Sequence, residues 1–106
     1  MFVILWAFEV KSGNEAAFEN EYSPDGAWAE FFRRDPAYRG TRLARDTARP
    51  LRYYTLDFWA SREAHDAFVN AHRKEHAEID ERCESLTARE MHLGSSECAV
   101  ADVGTL

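Results

Sequence analysis

The chain has 106 residues, which is enough for one domain and too few for two. Hydrophobic residues make up 45% of it and aromatic residues 13%, a composition that predicts a folded core and excludes an intrinsically disordered chain. The formal net charge of −6 disfavours a nucleic-acid-binding module, because such modules are usually basic.

The first residues and the cysteines bear on location. The apolar segment 2–8 is too short to span a membrane and lacks the basic region of a signal peptide. Cys83 and Cys98 form no CxxC pair, which excludes a zinc ribbon. We therefore expect a cytoplasmic protein with reduced thiols that binds neither nucleic acid nor membrane.

The first half of the chain predicts a strand followed by helix. Phe2 to Val10 is a continuous apolar run, typical of a strand buried on both faces. Ser12 and Glu15 have the spacing of a capping box, which predicts a helix start. The segment 23–25, Ser-Pro-Asp, predicts a second helix start, with Ser as the N-cap and Pro at the first helical position. That segment should end before Pro36.

The second half predicts a hairpin, a long helix and a final strand. Tyr38 to Asp46 and Leu51 to Trp59 are strands joined by a short turn. Ser61 should cap one long helix, and a last strand should cover about Thr87 to Cys98. The helix carries an apolar stripe at His65, Phe68, His72, His76, Ile79, Cys83 and Leu86.

The order strand, helix, strand, strand, helix, strand is that of the ferredoxin-like α+β fold, a four-stranded antiparallel sheet with its helices on one face. We assign one domain to residues 1–98 and a C-terminal tail to residues 99–106. The first strand is apolar on both sides, so the face of the sheet away from the helices should carry an apolar patch. Because soluble monomers rarely expose such a patch, we expect a homodimer that pairs through this face.

Three segments together resemble the antibiotic biosynthesis monooxygenase family. They are Glu9-Val10-Lys11-Ser12-Gly13 after the first strand, the segment Tyr54-Thr55-Leu56-Asp57-Phe58-Trp59-Ala60-Ser61-Arg62-Glu63-Ala64, and Phe68 with His72. The resemblance covers roughly residues 2–97. It implies a dimeric α+β barrel and, for some members, oxygenation of small aromatic or quinol substrates without a metal or organic cofactor.

The same family includes haem-degrading enzymes, and this chain departs from their pattern. Those enzymes carry an Asn in the first strand, a Trp on the second helix and a His near its end. The matching positions here hold Trp6, Phe68 and, only approximately, His76. Haem binding without degradation, through His72 or His76, is therefore the weakest of the functions that the resemblance leaves open.

We assign the catalytic base to His72, because the pKa of a histidine lies near the working pH. The alternative for His72 is a structural histidine at the edge of the core, hydrogen-bonded to a carbonyl group or to water. The proposed wall for a flat aromatic ligand consists of Trp6, Trp28, Phe32, Tyr54, Trp59, Phe68 and His76. The alternative is a non-catalytic ligand-binding or stress-response protein on the same scaffold. An enzyme should have a closed apolar cavity with His72 pointing in, whereas a pure binding module should have that volume filled by Trp28, Phe31 and Phe32.

The string His72-Arg73-Lys74-Glu75-His76 also matches the HxxEH motif of inverted zinc peptidases. Two histidines four residues apart share a helix face and can bind a metal. The match is weak, since a third ligand would have to come from a distant Glu in a small domain. We therefore predict no metal site.

Overall fold

The computed structural model describes residues 1–99. The strands are β1 (Phe2–Val10), β2 (Tyr38–Arg45), β3 (Arg52–Trp59) and β4 (Thr87–Glu97), and the helices are α1 (Glu15–Tyr22), α2 (Ala27–Phe32), α3 (Arg62–Ala71) and α4 (Arg73–Cys83). A 3-10 turn, Glu84–Leu86, joins α4 to β4. Both predicted helical connections are therefore present. The first has two helices, as the two predicted starts imply, whereas the second, predicted as one long helix, is divided into α3 and α4.

The four strands form one antiparallel sheet in the order β2-β3-β1-β4. This is the ferredoxin-like α+β arrangement expected from the order of the elements. The assignment of the domain to residues 1–98 stays a prediction. The predicted tail, residues 99–106, lies outside the described residues except for Ala99. Within residues 1–99, no helix is long and apolar enough to cross a membrane.

The central strand β1 is apolar on both of its faces, as its sequence predicts. Phe2, Ile4, Trp6 and Phe8 face the helices, where they pack into the core. Residues at the positions between them face the opposite side. There, Val3 and Ala7 are buried and Leu5 is half-buried. The homodimer expected through this outer face stays a prediction.

The core has two aromatic clusters, one toward each end of the sheet. The first contains Phe2, Ile4, Ala29, Phe31, Phe32, Tyr38, Trp59 and Phe68. The second contains Phe8, Val10, Phe18, Tyr22, Tyr53 and Cys83. Trp6, Trp28 and Ile79 are only partly buried and pack against both clusters. The middle of the helix-facing side is thus less completely filled than its two ends.

The predicted starts of the first two helices are both displaced. The N-cap of α1 is Asn14 and not Ser12, and the Glu15 carboxylate accepts a hydrogen bond from the Gly13 N–H at 2.6 Å. The predicted start at Ser23 is wrong, because α2 begins at Ala27 with Gly26 as its N-cap. A side chain at position 26 would meet the carbonyl oxygen of Glu21 at 2.5 Å, so only glycine fits this turn.

The long helix predicted after Ser61 is interrupted at His72. The Ser61 cap is confirmed, since its hydroxyl oxygen accepts a hydrogen bond from the Ala64 N–H at 3.1 Å. At His72 the backbone leaves the helical region, with φ −124° and ψ 34°, and α4 starts at the next residue. The interruption changes the direction of every side chain that continuous periodicity would have aligned after it.

Candidate functional site

A cavity of about 420 Å³ lies between the sheet and the helices, in the gap between the two aromatic clusters. This volume falls in the range of about 300–1,000 Å³ that is typical of sites for small molecules. Its lining residues are Phe2, Ile4, Trp6, Phe8, Tyr22, Trp28, Phe32, Thr41, Thr55, Asp57, Arg62, His65, Asp66, Val69, His76, Asp80, Glu90, His92 and Ser95. The site is therefore mostly aromatic inside, with a small set of polar groups.

The floor of the cavity consists of two neighbouring rows across the sheet. One row runs Thr41, Asp57, Ile4 and Ser95, and the next runs Thr55, Trp6 and His92. These residues share a face because alternate positions of paired strands point the same way. The register thus places one carboxyl group, that of Asp57, among apolar and hydroxyl side chains.

The opening of the cavity lies beside the edge strand β4. Glu90 and His92 on that strand are exposed, as are Arg62, Asp66 and Asp80 on the helices opposite. The ring of His92 lies 5.0 Å from that of Trp6. Burial raises the pKa of Glu90 above its ordinary value, and the nearby carboxylates of Asp80 and Glu84 add to the rise. The rim is charged, whereas the interior is aromatic.

Asp57 is the acidic group on the floor of the cavity. Its carboxyl is surrounded by protein but keeps some accessible surface, and Asp57 lines the cavity. Burial raises the pKa of Asp57 to about 6, while a hydrogen bond from Thr41 and the nearby His65 oppose the rise. The Thr41 hydroxyl donates to Oδ1 of Asp57 at 2.6 Å. A carboxyl group with such a pKa is ionised at neutral pH and is a stronger base than an ordinary aspartate.

Three histidines line the same cavity from different elements. His65 belongs to α3, where its Nδ1 lies 2.9 Å from Oδ1 of Asp66 and its ring packs edge-on against Trp59. His76 belongs to α4, and its ring lies 4.9 Å from that of Trp28. Burial lowers the pKa of His76, so this imidazole is neutral at pH 7 and can both donate and accept a hydrogen bond.

Of the eight residues proposed from the sequence, four line the cavity: Trp6, Trp28, Phe32 and His76. Trp59 and Phe68 lie behind the wall, as buried members of the first aromatic cluster. Tyr54 points to the opposite face of the sheet, since it pairs with Ala7 and Ala44, and its hydroxyl donates to Asp46 at 2.6 Å. That position separates Tyr54 from any ligand in the cavity.

His72 is the fourth residue outside the cavity. Its Nδ1 lies 2.9 Å from the carbonyl oxygen of Phe68, and its ring stacks on that of Phe68. The interruption of the helix at this residue explains why His72 lies outside the cavity, because it turns the imidazole back along α3. His72 and His76 no longer lie on one regular helix, and within residues 1–99 no three His, Cys, Asp or Glu side chains gather as a metal site does.

The cavity also bears on the choice between an enzyme and a pure binding module. Trp28 and Phe32 form part of its wall and do not fill it. Phe31 packs edge-on against Phe68, away from the open volume. The volume is therefore not filled as a pure binding module would require, but the cavity opens at a charged rim, and the candidate base that lines it is Asp57 and not His72.

Sequence reasoning gave Asp57 and His65 too little weight. Asp57 and Trp59 are two residues apart in one strand and therefore share a face, and the large aromatic residue on that face is the sequence signal that it packs against the helices. His65 lies in the first turn after the Ser61 cap, a position where side chains are often exposed to solvent. It is instead half-buried against Phe2 and Trp59.

Solved structures with the same fold include an oxygenase. A point mutant of SnoaB from Streptomyces nogalater, a cofactor-independent oxygenase, superposes with a TM-score of 0.75 at 18% identity over 92% of this chain and 91% of that chain. A conserved protein from Methanosarcina mazei Go1 gives a TM-score of 0.73 at 12% identity over 92% of each chain. At such low identity these likenesses establish the fold alone. Comparison with curated proteins finds no significant sequence match.

The family is established by a match to the sequence itself. The model of the family described as antibiotic biosynthesis monooxygenase matches residues 1–79, about three quarters of the chain. This match includes all of β1 to α3, with Asp57, His65 and the aromatic wall of the cavity. The chain therefore belongs to the antibiotic biosynthesis monooxygenase family.

Proposed function

We propose that this protein is a monooxygenase that oxidises a small, flat phenolic or quinol-type substrate without a metal or organic cofactor, with Asp57 as the base. The observation that carries the proposal is the Asp57 carboxyl on the floor of an aromatic cavity, where burial raises its pKa to about 6. Family membership and the likeness to SnoaB, a cofactor-independent oxygenase, support the reaction class. The substrate class rests on the cavity.

The shape and lining of the cavity favour an aromatic ring. Trp6, Trp28 and Phe32 present indole and phenyl surfaces to the open volume. Flat apolar ligands gain binding energy from such surfaces through burial and through offset or edge-on ring contacts. The neutral imidazole of His76 gives this wall one polar atom that can hold a substrate oxygen.

The reaction needs only a base, oxygen and a dry pocket. The base removes a proton from a substrate hydroxyl or an activated carbon, and the resulting anion passes one electron to O2. The substrate radical and superoxide combine to a peroxide. Loss of water then leaves one oxygen atom on the substrate and the other in water. O2 takes up four electrons in forming the substrate oxygen and water, and all four come from the substrate, so no external reductant is required.

Asp57 suits the proton-transfer step because of its position and its pKa. With a pKa of about 6, it is mostly ionised at pH 7 and holds a proton more firmly than an ordinary aspartate. Exclusion of water by the aromatic wall keeps the substrate anion poorly solvated, which favours electron transfer to O2. The protein thus supplies a base, an orientation and a desolvated volume.

Oxygen uptake by the purified protein tests this proposal. We expect saturable uptake with at least one member of a panel of anthrones, naphthols and hydroquinones in the presence of a metal chelator. Asp57→Asn should reduce kcat by about 100-fold or more, which is the usual contribution of a general base. Asp46→Asn removes a carboxylate from the outer face and serves as the matched control, with uptake close to that of the wild type.

Two results would contradict the proposal. One is uptake in Asp57→Asn equal to that of the wild type, which would remove Asp57 from the reaction. The other is the absence of uptake above the spontaneous rate while the same compounds still quench the tryptophan fluorescence. That pattern would favour the non-catalytic ligand-binding protein that the sequence left open.

We also propose that two copies pair through the outer face of the sheet. At its centre, Leu56 on β3 lies opposite Leu5 on β1, and both are half-buried in the single chain. Apolar side chains in this position favour a self-complementary contact with a second sheet. We expect a dimer in sedimentation experiments and a monomer for Leu56→Arg. A monomeric wild-type chain would contradict the pairing.

A further inference from the structure

A chain of hydrogen bonds runs behind the Asp57 carboxyl, away from the cavity. The hydroxyl of Tyr38 lies 2.5 Å from Oγ1 of Thr41, and Oγ1 of Thr41 lies 2.6 Å from Oδ1 of Asp57. Tyr38 and Thr41 are both 8% exposed. Buried polar groups of this kind cost stability unless each has a partner, and here each hydroxyl has one.

The direction of the chain follows from the number of protons available. An ionised carboxylate only accepts hydrogen bonds, so Thr41 donates its single proton to Asp57. Thr41 can then only accept from Tyr38, which makes the Tyr38 hydroxyl the donor. Burial raises the pKa of Tyr38 to about 12, so this donor keeps its proton throughout the neutral range. The chain is therefore ordered in one direction while Asp57 is ionised.

A bulge in β2 makes this arrangement possible. Residues three positions apart in a regular strand face opposite sides of a sheet. Tyr38 pairs with Trp59 and Gly40 pairs with Phe58, so Arg39 is an extra residue that shifts the register. Gly40, with φ at +124°, adopts a backbone conformation that residues with side chains rarely take. Tyr38 and Thr41 consequently both face the helices.

We infer that Thr41 and Tyr38 are positioning residues for the base, held on one face by the bulge at Arg39 and Gly40. Thr41 fixes Oδ1 of Asp57 and stabilises the ionised carboxylate, and Tyr38 fixes the direction in which Thr41 donates. The second carboxylate oxygen then remains for the substrate. The catalytic part of this inference rests on the proposed function, in which Asp57 removes a proton from the substrate. Bulges that aim side chains near active sites are a recurrent feature of sheets.

Other charged side chains near this hydrogen-bond chain must stay unchanged in any test of it. His65 on α3 acts on Asp57 and lowers its pKa, and Arg33, which follows α2, lowers the pKa of Tyr38. Arg62 and Asp66 on α3 and His76 on α4 line the same cavity. None of these side chains is changed in the variants below, so a change in the titration of Asp57 reports on the hydrogen-bond chain.

The test is a carbon-13 NMR titration of the Asp57 carboxyl in the free protein, which requires no substrate. Thr41→Val keeps the shape of the side chain and removes its hydroxyl, and it should raise the pKa of Asp57 by about one unit. Tyr38→Phe should shift the pKa in the same direction by a smaller amount. Thr55→Val is the matched control, because Thr55 is a buried threonine on the cavity floor whose loss should leave the pKa of Asp57 unchanged.

A kinetic experiment tests whether the same hydrogen-bond chain affects the rate of the reaction. For any substrate that the wild type oxidises, the acid limb of kcat/KM in Thr41→Val should move to higher pH by the same amount as the carboxyl pKa. Thr41→Ser restores the hydroxyl and should restore both values. If Thr41→Val does not fold, the comparison of Thr41→Ser with Tyr38→Phe decides the same question.

The outcomes separate the two proposals. An Asp57 pKa that is the same in the wild type, Thr41→Val and Tyr38→Phe would overturn the inference, whatever the activity. A pKa that shifts as expected while Asp57→Asn remains fully active would support the hydrogen-bond chain and refute the proposed role of Asp57 as the base. An equal shift in Thr55→Val would also overturn the inference, because it would show a general response to substitution on the cavity floor.

Discussion

The imidazole of His72 stacks on the ring of Phe68 with 4.3 Å between the ring centroids, and its Nδ1 lies 2.9 Å from the Phe68 carbonyl oxygen. Phe68 is 4% exposed and belongs to the first aromatic cluster. His72 therefore ends α3 by a side-chain contact with the core and with the Phe68 carbonyl, which also accepts a hydrogen bond from the His72 N–H. This is a structural role, which the sequence alone did not distinguish from that of a catalytic base.

We predict that His72→Ala destabilises the protein without abolishing its reaction. The loss of one hydrogen bond and of the ring contact should cost about 1–2 kcal/mol in the free energy of unfolding. Denaturant unfolding measures this loss, and oxygen uptake at saturating substrate should remain within about twofold of the wild type. A collapse of uptake in a folded His72→Ala protein would instead return His72 to the role of base.

Ser61 provides a second test of the local structure, because it caps α3 and Ser12 caps no helix. Ser61→Ala removes the hydroxyl oxygen that accepts from the Ala64 N–H, and it should cost about 1 kcal/mol in the free energy of unfolding. Ser12 has the capping-box spacing in the sequence but lies outside α1, whose N-cap is Asn14. We expect Ser12→Ala to change stability by less than about 0.5 kcal/mol. Equal losses in the two variants would contradict this assignment of the caps.

Gly26 and Gly13 differ in a way that thermal or denaturant unfolding can measure. A methyl group at Gly26 would lie 2.5 Å from the Glu21 carbonyl oxygen, so α1 and α2 would have to move apart. We expect Gly26→Ala to cost about 3 kcal/mol or more. Gly13 has φ at +93° but open space around it, so Gly13→Ala should cost only about 1–2 kcal/mol of backbone strain. A larger loss of stability in Gly13→Ala than in Gly26→Ala would contradict the close packing around Gly26.

The raised pKa of Asp57 should lower the free energy of unfolding at neutral pH. Its pKa rises on folding from an ordinary value of 3.8 to about 6, so the folded chain binds this proton more tightly than the unfolded chain. The stabilisation that comes from this tighter proton binding is complete below about pH 4 and is lost as the pH rises through 6. A rise of about two pKa units corresponds to roughly 3 kcal/mol between these limits.

Asp57→Asn removes this ionisation and should therefore be more stable than the wild type at pH 7. The difference should shrink as the pH falls and vanish near pH 4, which urea unfolding at both pH values can measure. Asp46→Asn is the matched control, since hydrogen bonds from Tyr54 and from the N–H groups of Ala48 and Arg49 lower the pKa of Asp46. That control should lose stability at neutral pH. A less stable Asp57→Asn protein at pH 7 would contradict the raised pKa.

The order of the elements and the two apolar faces of β1 could be predicted because they depend on short-range patterns. Alternation in β1 and β3 determines which residues share a face, as Asp57 and Trp59 do. Alternation does not say which face meets the helices. That choice depends on what packs against the sheet, here Phe32 and Phe68 on Trp59.

The identity of the candidate base could not be predicted for a different reason. The apolar stripe from His65 to Leu86 assumes one continuous helix, whereas the chain breaks at His72. A helix interruption without Pro or Gly has no clear local signal in a single sequence. The bulge at Arg39 is similarly hidden, although the glycine that follows it is compatible with one. Both features decide which side chains reach the cavity.

The most direct test of the central claim is the pH dependence of kcat/KM for oxygen uptake in the wild type and in Asp57→Asn. If Asp57 is the base, kcat/KM of the wild type should rise with pH to a plateau, with a midpoint near the pKa of about 6 of the free protein. Asp57→Asn should lack this rise and remain at least about 100-fold lower on the plateau. If kcat/KM of Asp57→Asn rises with pH at the same midpoint as that of the wild type, Asp57 is not the base, because the titrating group must then be another residue.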